Sequence, residues 1–203
     1  MSATASDTLL LTGFEPFGDN AANPSEHIAL TLDGEVIDGC VVKGMVLPVV
    51  FGEAARILLD AVQVNRPKAV ICLGLAENRS TISVERLAVN LADARIPDNA
   101  GNQPEEEAIV TDGPAACWST LPVKSLASAL AAKHLPVEIS MSAGTYVCNE
   151  LFYRLLQAQA DRPDMPAGFI HLPPPEKLGD DGLTTLTDAV RVILESVCAS
   201  PAD

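Results

Sequence analysis

The feature that most constrains this chain is its alternation of short, almost wholly apolar runs with helix-length amphipathic segments. LLLTGF (9–14) and KAVICLGL (68–75) are near-continuously apolar. At that length such runs mark strands covered on both faces, as in parallel sheets. Between them the spacing predicts a helix from Pro24 to about Leu32. Asn23 caps it, Pro24 takes its first position, Glu26 closes a capping box and Gly34 stops it. A strand over about 40–47 follows, limited by Pro48. The next helix, 52–65, carries Ala54, Ile57, Leu58 and Ala61 on one face and ends before Pro67.

Residues 82–91 (ISVERLAVNL) read as extended, and the turn-rich stretch 97–114 reads as a long loop. The alternation then resumes: helix 123–133, strand 137–142, helix 146–160, strand 167–172, helix 183–198. Strands alternating with helices imply an α/β fold. We expect a single-domain three-layer α/β/α sandwich over 1–203 with a twisted, mostly parallel sheet, and residues 1–7 as a disordered lead-in. A domain of this length buries roughly 70% of the surface its unfolded chain exposes, so it needs no staples.

The formal charge is −14. Such a surface repels phosphate backbones and anionic lipid, which argues against nucleic-acid and membrane partners. MSATASD carries neither a basic nor an apolar signal region, and no apolar run approaches the ~20 residues that span a bilayer. The five cysteines, at 40, 72, 117, 148 and 198, are odd in number and form no CxxC pair. This predicts reduced thiols in a reducing compartment, with no zinc site.

In open parallel sheets, ligands bind beyond the carboxyl ends of strands. Those segments hold Phe14, Phe17, Arg79, Cys148 and His171, with Glu85 a few residues on. Cys148 sits on the first turn of a predicted helix. There free N–H groups and the dipole favour a thiolate and can hold an oxyanion. The competing reading is inert filler, the expectation for Cys72 and Cys40. His171 ends a strand, either as a general base or as a packed strand-end histidine. Glu85 interrupts ISVERLAV. It is either the group that orients the imidazole or half of an ion pair with Arg79 or Arg86. His134 is explained by a helix C-terminus.

At these residues the chain resembles the type I pyroglutamyl peptidases, also called pyrrolidone carboxyl peptidases. The matching segments are TGFEPFG (12–18), NPSE (23–26), LPVVFG (47–52), GLAENRSTISVERLAVNLADARIPDNAGNQP (74–104), SAGTYVCNELFY (142–153) and GFIHLP (168–173). The resemblance implies a cysteine peptidase that hydrolyses the bond after an N-terminal pyroglutamyl residue through a thioacyl-enzyme. It implies Cys148 as nucleophile, His171 as base and Glu85 as acid, with Arg95 beside the oxyanion and Phe14 and Phe17 against the lactam ring. It also implies no cofactor, a cytoplasmic location and a homo-oligomer, often a tetramer. Three features depart from the pattern: Glu77-Asn78 before Arg79, Glu150 after Cys148-Asn149, and the run Pro173-Pro174-Pro175.

Two other readings compete. One is a related thiol amidohydrolase acting on a different small cyclic or amide substrate. The other is a non-catalytic nucleotide-binding module. GFEPFGDN argues against the latter, since it is no phosphate loop and puts Glu15 and Asp19 where phosphate would sit.

Overall fold

The computed structural model describes residues 7–159, 162 and 164–199. Residues 1–6, most of the expected lead-in, lie outside the described residues. Asp7 lies within them, and its carbonyl accepts from the Val41 amide at 2.8 Å.

The strands are β1 (Thr8–Phe14), β2 (Val36–Ile37), β3 (Cys40–Leu47), β4 (Ala69–Leu75), β5 (Ile82–Glu85), β6 (Leu87–Val89), β7 (Ala116–Trp118), β8 (Val137–Ser140) and β9 (Ala167–Leu172). The helices are α1 (Pro24–Thr31), α2 (Glu53–Asn65), α3 (Val123–Ala132), α4 (Val147–Ala158) and α5 (Gly182–Cys198), with a 3-10 turn at Pro175–Leu178. Seven strands form one sheet in the order β2-β3-β1-β4-β9-β5-β8, and β6 and β7 form a separate ribbon. The sheet is mostly parallel, as expected for an α/β layer fold; β2 runs antiparallel to β3, and β5 antiparallel to β9.

Alternate side chains of each strand face opposite layers. Leu9, Leu11, Ile71 and Leu73 pack with α1, α3 and α5 in one apolar layer. Leu10, Val70, Cys72 and Phe169 pack with α2 and α4 in the other. That is the reason the strand sequences lack a polar face.

Local chemistry sets the ends of α1. The Asn23 side chain accepts from the Ser25 amide at 3.1 Å, and Pro24 opens the helix, as its spacing predicts. Asn23 also donates to the Glu15 carbonyl at 3.1 Å, so the cap holds down the loop after β1. Gly13 lets α1 approach: a Cβ there would lie 2.0 Å from the Ser25 carbonyl oxygen. Ser25 Oγ in turn accepts from the Phe14 amide at 3.0 Å.

Two expectations are corrected. Cys40 and Cys198 are joined as a disulfide with Cα atoms 6.4 Å apart, so the cysteines are not five free thiols. The bond connects the start of β3 to the end of α5 across 158 residues, a pairing to which local spacing is blind. Second, β8 is parallel to β5, which runs against β9. The segment leading to Cys148 therefore does not leave from the carboxyl edge shared by β1, β4 and β9. No helix among the described residues is long and apolar enough to cross a membrane.

Candidate active site

Cys148 is the second residue of α4. The turn before it is held by Ser140 and Ser142, and Thr145 Oγ1 donates to the Asp93 carbonyl at 2.7 Å. The helix cap, Tyr146, supplies no side-chain hydrogen bond, so the first amides of α4 receive no side-chain acceptor from it. Asn149 is fully buried; its side chain accepts from the Val89 amide and donates to the Val89 and Leu91 carbonyls at 2.9–3.0 Å. That three-bond clasp fixes the first turn of α4 against the chain running from β6 into the 92–104 loop.

The sulfur is placed by a missing side chain. A Cβ on Gly74 would lie 3.0 Å from Cys148 Sγ and 2.8 Å from the Phe169 ring. Glycine inside a strand often marks such a close approach. Gly74 on β4 is in register with His171 on β9, so the sulfur sits over the residue paired with His171. The His171 ring packs on Phe169 with centroids 4.8 Å apart. Its Nδ1 lies 2.8 Å from Glu85 Oε1. This leaves Nε2 as the imidazole nitrogen not engaged by Glu85.

Glu85 is fully buried. The same oxygen, Oε1, accepts from Arg79 Nη1 at 2.6 Å, while Oε2 has no hydrogen-bond partner among the described residues. Burial alone would raise the Glu85 carboxyl. The His171 hydrogen bond and charge, the Ser140 hydroxyl and the Arg79 charge outweigh it and hold the group below the ordinary carboxylate range. Both sequence readings of Glu85 therefore hold at once, since it pairs with Arg79 and orients His171. Arg79 also donates through Nη2 to the Ser142 carbonyl at 2.8 Å, tying the acid to the turn that leads to Cys148.

The Cys148 thiol departs from expectation. A helix N-terminus favours the thiolate, yet burial pushes this group up to about 12, and the charges of Glu85 and Cys72 add to the rise. The Cys148 amide and Arg79 oppose it without prevailing. At rest the sulfur therefore holds its proton. Cys72 is buried and also pushed up to about 12, as filler should be. Cys117 is partly exposed, with Gln157 Nε2 at 2.9 Å from its sulfur.

Beside the sulfur lies a narrow, mainly apolar cleft walled by Phe14, Phe17, Val49, Leu75, Tyr146 and Val147. Phe14 is buried and packs towards Phe169, while Phe17 stands partly exposed with its ring 6.0 Å from Tyr146. Each aromatic thus serves both packing and cleft.

The 97–104 loop closes one side. The Asp98 carboxylate accepts from the amides of Phe51, Ala100 and Asn102 at 2.7–2.9 Å. Asn99 donates to Glu15 Oε1 at 2.8 Å and to the Pro16 carbonyl, and Tyr146 donates to the Pro97 carbonyl at 3.0 Å. Arg95, just before this loop, is exposed and makes no side-chain hydrogen bond or ion pair among the described residues. The structure thus brings Glu85, Cys148, His171, Phe14 and Phe17 together and leaves Arg95 at the rim.

Sequence reasoning passed over Gly74, Asn149 and Asp98, and gave Arg79 as a strand-end residue and an ion-pair partner without its bond to the Ser142 carbonyl. Glycine within an apolar strand was a readable signal for the first. Asn149 and Asp98 act through bonds to backbone distant in sequence, which leave no local signature.

A family model described as "Pyroglutamyl peptidase" matches residues 7–199. A pyrrolidone-carboxylate peptidase of Escherichia fergusonii is 43% identical over 93% of this chain and 90% of its own. One from Chromobacterium violaceum is 49% identical over 82% and 77%. Among solved structures, pyroglutamyl peptidase I of Bacillus amyloliquefaciens superposes with a TM-score of 0.90 at 37% identity, covering 96% of this chain and 98% of that one. The pyrrolidone carboxyl peptidase of Pyrococcus furiosus gives 0.88 at 43% identity, over 94% and 98%.

Proposed function

Because the chain belongs to the pyroglutamyl peptidase family, we propose that Cys148, His171 and Glu85 are the nucleophile, base and acid of its reaction. The protein is a cysteine-type peptidase that removes an N-terminal pyroglutamyl residue from peptides. The observation carrying the residue assignment is the row in which Gly74 leaves room for the sulfur and lies in register with the imidazole that Glu85 orients.

Pyroglutamate is a compact, neutral lactam, and the cleft beside the sulfur matches its chemistry, with flat aromatic walls and no unpaired charge, though its narrow space has to widen to admit the ring. Cys148 Sγ attacks the scissile carbonyl carbon while its proton passes to His171 Nε2. Burial raises the thiol, so His171 has to take its proton for attack to proceed. The tetrahedral oxyanion forms at the start of α4, where the Cys148 amide stabilises it. One such donor is worth roughly 3–4 kcal/mol. Arg95 swings in from the rim as a second donor. Glu85 holds the ring with Nδ1 protonated and balances the imidazolium charge. The imidazolium then protonates the leaving nitrogen as the C–N bond breaks, giving a thioacyl-enzyme. Water attacks the thioester carbonyl and yields its proton to His171. The C–S bond breaks, the sulfur regains a proton and pyroglutamate leaves.

Cytoplasmic location and a homo-oligomeric, tetrameric assembly belong to the same proposal and rest on the resemblance. Sedimentation reads the assembly and cell fractionation the location.

The test is hydrolysis of a pyroglutamyl-coumarin amide by the wild type and Cys148→Ser. The variant should lose roughly 10⁴-fold or more in kcat while keeping its fold. A folded Cys148→Ser protein within tenfold of wild type overturns the assignment.

A further inference from the structure

Resting on that peptidase reading, we infer that the cavity adjoining the sulfur cleft is a subsite for the departing peptide, seating the apolar side chain of its second residue and disfavouring an acidic one there. The cavity measures about 530 Å³. It shares the wall residues Asn23 and Leu75 with the cleft that holds Cys148, so the two adjoin. Pyroglutamate fills the cleft walled by Phe14 and Phe17, so the chain attached to the departing nitrogen has to run out of it.

Strand register gives the direction. Gly74 and His171 form one row of the paired β4 and β9, and Leu75 and Leu172 form the next. Nδ1 of His171 is turned to Glu85, so the proton for the departing nitrogen comes from Nε2. The first departing residue therefore lies over the Gly74–His171 row. An extended peptide advances about 3.3 Å per residue, the same rise as a strand. The second residue then reaches the carboxyl edge of the sheet, where Leu75, whose side chain turns to the layer opposite the sulfur, begins the cavity wall.

The wall chemistry fits that occupant. Pro24, Leu75, Pro174 and Leu183 supply apolar surface, and the exposed Glu77 and Glu176 stand among the lining residues against one lysine, Lys177, whose ammonium is turned to backbone carbonyls, and the imidazole of His27. The walls are also fixed. Lys177 Nζ donates to the carbonyls of Glu77 at 2.7 Å and Arg79 at 3.1 Å, binding the 3-10 turn to the turn after β4. Asn20 donates to the Glu77 carboxylate, which orients that side chain. A cavity held open in this way need not be ordered by the ligand, so burial of the side chain is expressed in kcat/KM.

The experiment compares kcat/KM for the amides of pyroglutamyl-Ala-Leu, pyroglutamyl-Ala-Gly and pyroglutamyl-Ala-Glu, with a pyroglutamyl-coumarin amide in the same preparation. The leucine peptide should exceed the glycine peptide by roughly tenfold, the scale for burying one such side chain, and the glutamate peptide should fall below both. In Glu77→Gln/Glu176→Gln the glycine-to-glutamate ratio should shrink towards one. In Leu183→Ala the leucine advantage should drop severalfold. Equal rates for the three peptides, with the coumarin amide still cleaved, overturn the subsite and leave the peptidase reading standing. Failure to cleave any substrate overturns both.

Discussion

Replacing Glu85 by glutamine removes one charge and almost nothing else. Oε1 accepts from both His171 and Arg79, while Oε2 has no hydrogen-bond partner within normal distance among the described residues, the Ser140 hydroxyl lying near the carboxylate. A glutamine with its oxygen at the Oε1 position and its NH₂ at the Oε2 position preserves both bonds. What disappears is the negative charge facing His171 when the ring becomes imidazolium. With Nδ1 and Oε1 2.8 Å apart, the charge centres lie about 4 Å apart. At an effective dielectric constant of about 20 the interaction is worth about 4 kcal/mol. Each 1.36 kcal/mol is tenfold in rate, so kcat/KM should fall by roughly 10³. Stability should fall less, by about 1–3 kcal/mol. Arg79 is left without its counter-charge, but it is about a quarter exposed and keeps the Ser142 carbonyl. The assays are pyroglutamyl-coumarin hydrolysis and urea unfolding of both proteins. A Glu85→Gln enzyme within threefold of wild type would refute the reasoning. So would a variant too unstable to fold, because it would show the oxygen geometry cannot be kept by an amide.

Three further outcomes are expected. Because burial holds the Cys148 thiol up to about 12, its alkylation by iodoacetamide should be slow at pH 7 and still be rising at pH 10; a plateau between pH 6 and 8, read by mass spectrometry of the labelled peptide, would mean a preformed thiolate. Gly74→Ala puts a methyl 3.0 Å from the sulfur and 2.8 Å from Phe169, costing about 1–3 kcal/mol by overpacking; urea unfolding and peptidase assays should show both stability and turnover falling, and unchanged turnover would remove Gly74 as the seat of the sulfur. Opening the Cys40–Cys198 bond frees a loop of 158 residues, worth up to about 5 kcal/mol in the chain-entropy model, so a reductant or the Cys40→Ser/Cys198→Ser pair should lower Tm by roughly 10–20 °C; an unchanged Tm would show that the bond does not constrain the unfolded chain.

Much of this protein could be read from its residues in order. Hydrophobic period and punctuation depend on neighbours a few positions apart, and here they located the helices and the main strands. LLLTGF and KAVICLGL became β1 and β4, and Asn23-Pro24 opened α1 as their chemistry requires. The two- and three-residue strands β2 and β7 escaped because elements so short have no period. Motifs long enough to be specific carried the family, and with it the proposed roles of Cys148, His171 and Glu85. Tertiary structure decided the rest. Strand direction is set by pairing between distant segments, so the reversal of β5 and β8, which brings Cys148 in over the sheet face, had no local trace. The protonation of Cys148 turns on desolvation, which depends on everything packed around the sulfur and overrides the helix terminus legible in the chain. The same holds for the Cys40–Cys198 bond, for the two roles of Arg79 and for the cavity beyond Leu75. Each is a meeting of residues far apart in sequence, and only the closed fold makes them neighbours.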